Sequence, residues 1–159
     1  CPGIDFSGIN TDGAGTESTS SETLDGYEEG TFLPNAFGST TIGNTVYSLR
    51  FGAYVKIGKI CHIQIRLQVT SMTGTGDLLI GGLPFLAMND SERGYASISV
   101  PYISNLQTPS ATDTYIGAYT VQNSTHMIMG ALAPGQNFDG VQVQNSYTLL
   151  MGGTYITNA

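Results

Sequence analysis

The sequence has no tryptophan, only two cysteines, five basic residues and no long apolar run. Each scarcity removes a class of protein. Cys1 and Cys61 are too few for a disulfide framework, and neither sits at the spacing of a cysteine-ligated zinc site. No stretch approaches the ~18 consecutive apolar residues of a membrane-spanning helix, and no signal-peptide pattern is visible. Charge is scarce too, at 11% of residues, and it is uneven. Residues 1–30 carry Asp5, Asp12, Glu17, Glu22, Asp25, Glu28 and Glu29 with no base, whereas residues 31–159 balance five acids against five bases. A neutral body with dispersed bases lacks the electrostatic footprint of a nucleic-acid binder or of a protein held on an anionic membrane. Neither partner is expected, and neither is insertion into a membrane.

Gly, Ser and Thr supply 54 of the 159 residues. That composition suits short strands joined by many turns, and no window holds a helical period. The clearest element is KICHIQIRLQVT, residues 59–70, where Cys61, Ile63, Ile65, Leu67 and Val69 alternate with His62, Gln64, Arg66, Gln68 and Thr70. A period of two is a half-buried strand with one dry face and one wet face. Cys61 falls on the dry face and reads as a small core hydrophobe. Further strands are expected near 31–34, 44–50, 52–57, 76–82, 95–103, 114–121, 124–132, 139–150 and 153–157. Turn signals at Gly43-Asn44, Gly58, Gly74-Thr75-Gly76, Asn89-Asp90-Ser91, Pro109, Asn123 and Pro134-Gly135 separate them. This spacing predicts an all-β fold, an antiparallel β-sandwich of jelly-roll type, rather than βαβ units. Pro101, inside SISVPYIS, demotes its segment to an edge strand or splits it. Edge strands need cover, and oligomerisation is one way to provide it.

Residues 1–30 read as an extended acidic leader and residues 31–159 as the head domain. The leader has few large apolar groups and cannot offset its ordering entropy alone. The chain opens on Cys-Pro without a Met, so it is expected to be the C-terminal piece of a longer polypeptide.

No reactive constellation stands out. Glu28 and Glu29 are adjacent, so in an extended chain their side chains point in opposite directions and do not flank one sugar as a glycosidase pair must. His62 lies on a wet face, and His126 lies in NSTHMIMG without a ligand-spaced Cys or carboxylate. Neither a G-x-S-x-G elbow nor a phosphate-binding glycine loop is present. No catalytic residue, metal or cofactor is therefore expected. The nine tyrosines offer sugar-stacking platforms or ordinary core packing.

The strings GIDFS (3–7), LDGYEEGTFLP (24–34), GAYVKIGKICHIQIRLQV (52–69) and LLIGGLPF (78–85), in this order, resemble the C-terminal domain of a phage tail fibre or tailspike. Gly26 stands where that pattern has an acid, and Phe32 where it commonly has Trp. Residues 86–159 match it in texture only. The resemblance implies a homotrimeric, jelly-roll-like tip on a stalk at the end of the virion tail, outside the host cell. Such a tip binds a bacterial surface polysaccharide or an outer-membrane receptor. It also implies that Ile4, Phe6, Tyr27, Glu28 and Glu29, with Thr31, lie at the junction with stalk and neighbouring subunits. Binding groups are expected in loops on a rigid scaffold. The most polar loop, Ala87 to Tyr95, supplies Asn89, Asp90, Glu92, Arg93 and Tyr95, and the loop that begins at Asn105 is the second candidate. A structural capsid-decoration or trimerisation module, or a fragment of a polysaccharide depolymerase, would suit the same scaffold.

Overall fold

The computed structural model describes residues 26–158, and it is all-β. The architecture grows from the alternating segment. β3 (Thr45–Ile57) and β4 (Ile60–Met72) form a hairpin joined only by Gly58-Lys59. Gly58 has φ +56°, the left-handed value that the first residue of a tight type II′ turn requires. β10 (Tyr147–Ile156) runs antiparallel along the other side of β4, from Tyr147 opposite Val69 to Ile156 opposite Ile60. β4 is thus paired on both edges. The dry face foreseen from its alternation is buried: Cys61, Ile63, Ile65, Leu67 and Val69 all enter the core with Tyr147, Leu149, Met151 and Tyr155 of β10. Each such large side chain contributes about 1.5–3 kcal/mol.

The remaining strands are β1 (Glu28–Phe32), β2 (Asn35–Gly38), β5 (Leu78–Gly81), β6 (Ser97–Ser104), β7 (Tyr115–Thr120), β8 (His126–Leu132) and the two-residue β9 (Asp139–Gly140). They extend one antiparallel sheet in the order β1-β3-β4-β10-β6-β7-β8-β5-β2, with β9 also on β8. The two edge strands, β1 and β2, are consecutive in the chain and separated only by Leu33-Pro34. Three residue steps span at most about 11 Å, so the sheet has to curl, and it does so into a half-barrel around the core. Where the edge of β2 meets β3, side chains replace a main-chain ladder. The Ala36 N–H donates to the Tyr47 hydroxyl (2.7 Å), and the Thr45 hydroxyl donates to the Ala36 carbonyl (2.9 Å). Arg50 reaches the Leu33 carbonyl (3.3 Å) and lies over the Tyr47 ring.

Several boundaries differ from the sequence reading. Segments 44–50 and 52–57 are one strand, because Arg50, Phe51 and Gly52 pair with Leu67, Arg66 and Ile65 of β4 in unbroken register, and the one irregularity of β3 lies earlier, around Tyr47. The first strand begins at Glu28, and β2, punctuated by Pro34 and Gly38, was not anticipated. The expected strand 139–150 is instead β9 and the start of β10, and β10 runs through Gly152-Gly153. Those glycines mark a close approach, since a Cβ on Gly153 would lie 2.7 Å from the Ile98 side chain. Pro101 neither splits its strand nor puts it at the edge. β6 lies between β10 and β7, but Val100 and Pro101 together oppose Met151 alone, and pairing with β7 stops at Ser99. The proline occupies a bulge on a locally unpaired side, where its missing N–H costs no ladder bond.

One cation is taken inside. Lys56, only 8% exposed, stands opposite Cys61, and its Nζ lies 5.2 Å from the centre of the Phe85 ring. That ring packs edge-on against Tyr54 at 5.3 Å. The Tyr155 hydroxyl donates to the Phe85 carbonyl (3.0 Å) and pins the segment after β5 to the end of β10.

Candidate functional site

The candidate loop after β5 is tied to itself. The Asp90 carboxylate accepts bonds from the backbone N–H of Glu92 (2.8 Å) and Arg93 (3.1 Å), and from Nε (3.1 Å) and Nη2 (2.6 Å) of Arg93. The Arg93 guanidinium, followed by the two backbone donors, holds the Asp90 carboxyl below its ordinary value. The Asn89 N–H is anchored on Asn158 (2.8 Å). Asp90 and Arg93 therefore build a stiff turn, while Glu92 stands in solvent.

Tyr95, at the end of that loop, does something different. Its ring lies 6.2 Å from that of Tyr119 on β7, and Tyr119 is 5.5 Å from Phe138, in a tilted and an edge-on arrangement. Half-exposed Tyr115 completes the group. Together they line a depression of about 260 Å³ floored by Ala96, Ser97, Gly117 and Ala118. Two glycines make room for the rings. Gly117 and Gly130 face each other across β7 and β8. A Cβ on Gly130 would come within 1.9 Å of the Phe138 ring, and one on Gly117 within 2.7 Å of the Tyr115 hydroxyl. Both rings lie against bare backbone, leaving apolar faces and phenolic hydroxyls at the surface. Such a surface stacks on the apolar face of a ring ligand and hydrogen-bonds its rim.

Asn105 does not join this site. It follows β6 at the end opposite Tyr95, roughly 25 Å away along the strand, and holds φ +61°, a turn conformation that asparagine tolerates. Beside it, Gln107 and Gln144 exchange two bonds of 2.7 and 2.6 Å that tie this loop to the segment before β10. The sequence reading names Tyr95 as a loop candidate and offers all nine tyrosines as stacking platforms, but it neither groups Tyr95 with Tyr115 and Tyr119 nor includes Phe138. Nine scattered tyrosines carry no signal of which will meet. That signal lies in the cross-strand register, and the only trace of it in the sequence is Gly117 and Gly130 inside strand patterns.

Glu28 and Glu29 diverge, as alternation requires. Glu28, exposed at the start of β1 opposite Lys56, accepts from the Tyr54 hydroxyl (2.7 Å), while Glu29 accepts from Tyr27 (2.6 Å). Each bond raises the pKa of its tyrosine. Ile4 and Phe6 lie outside the described residues. His62, on the outer face, meets the Thr154 hydroxyl at 3.1 Å. His126 touches the Ser124 hydroxyl, which also accepts the His126 N–H (3.1 Å), a local turn at the head of β8. Partial burial lowers the His126 pKa. Among the described residues, no group of three His, Cys, Asp or Glu side chains is placed to hold a metal ion.

No family model matches the chain, and no curated protein sequence matches it. Among solved structures, the crystal structure of the Dettilon tailspike protein superposes on 82% of this chain with a TM-score of 0.60, at 16% identity. The fold is tailspike-like. The likeness extends over 24% of that protein, so this chain corresponds to a minor part of it.

Proposed function

We propose that this chain is the receptor-binding tip of a bacteriophage tail fibre or tailspike, and that it attaches the virion to a glycan on the bacterial surface. The observation that carries the reading is the cluster of Tyr95, Tyr115, Tyr119 and Phe138. It is an exposed aromatic platform on a glycine floor, with Tyr115 and Tyr119 on β7 and with Tyr95 and Phe138 packed onto them from the connections before β6 and β9. The tailspike-like fold supports a place on the virion tail, outside the cell. The rolled sheet is taken to be a jelly-roll-like head that assembles as a homotrimer, three weak sites on one tip gaining by avidity. The tip is proposed to bind without cleaving. The carboxylates that a hydrolase would bring together diverge at Glu28 and Glu29, and Asp90 is committed to Arg93.

Adsorption to bacterial cells tests this reading. The wild-type protein should coat cells of a susceptible strain and be displaced by that strain's purified surface polysaccharide, and Tyr119→Ala should do neither. Retention on phage particles alone, with none on cells or glycan, would support a capsid-decoration or trimerisation module. New reducing ends in the incubated polysaccharide would show a depolymerase.

A further inference from the structure

The aromatic depression is one end of a longer feature. Following the ladder sideways on the outer face, Ala53 pairs with Gln64, Gln64 with Gly152, Gly152 with Ser99, Ser99 with Gly117, and Gly117 with Gly130. Apart from Gln64, this row is small side chains or bare backbone. It crosses β3, β4, β10, β6, β7 and β8, perpendicular to the strands. Taller side chains stand in the rows on either side. One wall carries Phe51, Arg66, Leu150 and Tyr102, which are successive cross-strand partners. Of these, Phe51 is 49% and Tyr102 51% exposed. The other carries Val55 opposite His62, His62 bonded to Thr154, and Tyr119 at the far end. Three depressions lie along the row. One of about 200 Å³ lies by Ala53 and His62, one of about 310 Å³ between Phe51 and Pro101 over Gly152, and the third is the aromatic one of about 260 Å³.

We propose that this row is a single groove for an internal stretch of a linear, neutral polysaccharide, so that the protein grips the chain along its length rather than at its end. The inference rests on the glycan reading above and extends it. Six strands have five spacings of ~4.8 Å, giving a groove of about 24 Å, enough for about five sugar rings. Arg66 is the one base on its walls, and the other charge beside it is Glu29, opposite Val55 at the β1 end, so a polyanion finds no rank of bases there. The groove crosses strands whose main-chain groups are engaged in the ladder. It therefore offers a peptide no free edge to extend, whereas its rings, hydroxyls and the Gln64 amide suit a hydroxyl-rich polymer with apolar faces.

The test uses the whole chain and size-graded fragments of a neutral, unbranched surface polysaccharide selected on an array of bacterial glycans. Affinity should rise roughly tenfold or more from two-unit to about five-unit fragments and then level off. Ser99 is exposed on the groove floor, so Ser99→Trp blocks the middle of the groove without entering the core. This variant should abolish the gain with length, whereas Tyr119→Ala should weaken fragments of every length. Equal affinity for short and long fragments, with Ser99→Trp silent, would overturn the extended groove and leave the glycan reading standing. Selection of charged polysaccharides only would overturn its neutrality. A multimer in solution that Ser99→Trp dissociates would make this face a contact between copies instead. Failure to bind any glycan, together with loss of adsorption to cells, would remove both the groove and the function on which it rests.

Discussion

Gly130→Ala probes the physical basis of the aromatic platform. Gly130 is buried on β8 outside the left-handed region, so an alanine suits its backbone. The obstacle is the Phe138 ring, 1.9 Å from where the new methyl would sit. Phe138 is 38% exposed, so it can swing outward. Doing so gives up the buried part of a side chain of roughly 200 Å², at most about 3 kcal/mol at ~25 cal/mol per Å². It also gives up the contact with Tyr119, about 0.5–1.5 kcal/mol. Restriction of the unfolded chain by the added methyl returns about 0.4–1 kcal/mol, and the displaced ring recovers some contacts. The net loss should be about 1–3 kcal/mol. In a Phe138→Ala background the methyl has nothing to displace, and Gly130→Ala should be neutral or mildly stabilising. Urea unfolding of the two single variants and the double variant, followed by tyrosine fluorescence, gives the coupling between the sites. It should be at least about 1 kcal/mol. An equal cost of Gly130→Ala in both backgrounds would show that the ring does not depend on the missing side chain.

Cys61→Asp buries an unpaired carboxylate in the centre of the core and should abolish the cooperative thermal transition, whereas Cys61→Ala should cost only about 1–2 kcal/mol. A Cys61→Asp variant that melts like the wild type would refute the burial of that face. Tyr47→Phe removes the acceptor of the Ala36 N–H at the β2–β3 seam and should destabilise by about 1–2 kcal/mol, with hydrogen exchange accelerating first at β2. Uniform exchange along the chain would show that the seam is not held there. The Asp90 carboxyl is depressed below its ordinary value of 3.8 in the folded protein. The turn it holds is therefore fully in place above that value and loosens as the pH falls through the lower folded value. Amide exchange at Glu92 and Arg93 should rise in that acid range relative to the rest of the protein, and Asp90→Asn should show the same rise already at neutral pH.

The elements with a strong period were legible in the sequence. β4 follows from its alternation, and so does the burial of Cys61. The opposed directions of Glu28 and Glu29 needed only the geometry of an extended chain. What stayed hidden depends on partners distant in the sequence. β2 is four residues between a proline and a glycine, and it becomes a strand only because β5 pairs with it. Pro101 reads as a breaker until the pairing of β6 with β7 is seen to end at Ser99. Gly152-Gly153 reads as a break until Ile98 is seen to fill the space. The candidate site divides in the same way. The polar composition of the loop before Tyr95 was plain, but Asp90 and Arg93 neutralise each other locally. The aromatic cluster, like the row from Ala53 to Gly130, is a product of register across six strands, which no local pattern encodes.

The central claim is that a rigid β shell presents an aromatic outer face to a bacterial glycan. Backbone and aromatic NMR shifts, recorded while a fragment of a susceptible strain's surface polysaccharide is added, test it most directly. The account predicts that the largest changes fall on Tyr95, Tyr115, Tyr119 and Phe138, with the core strands unmoved. Changes confined to the Asn105–Asp113 loop or to β1, with those four rings silent, would contradict it.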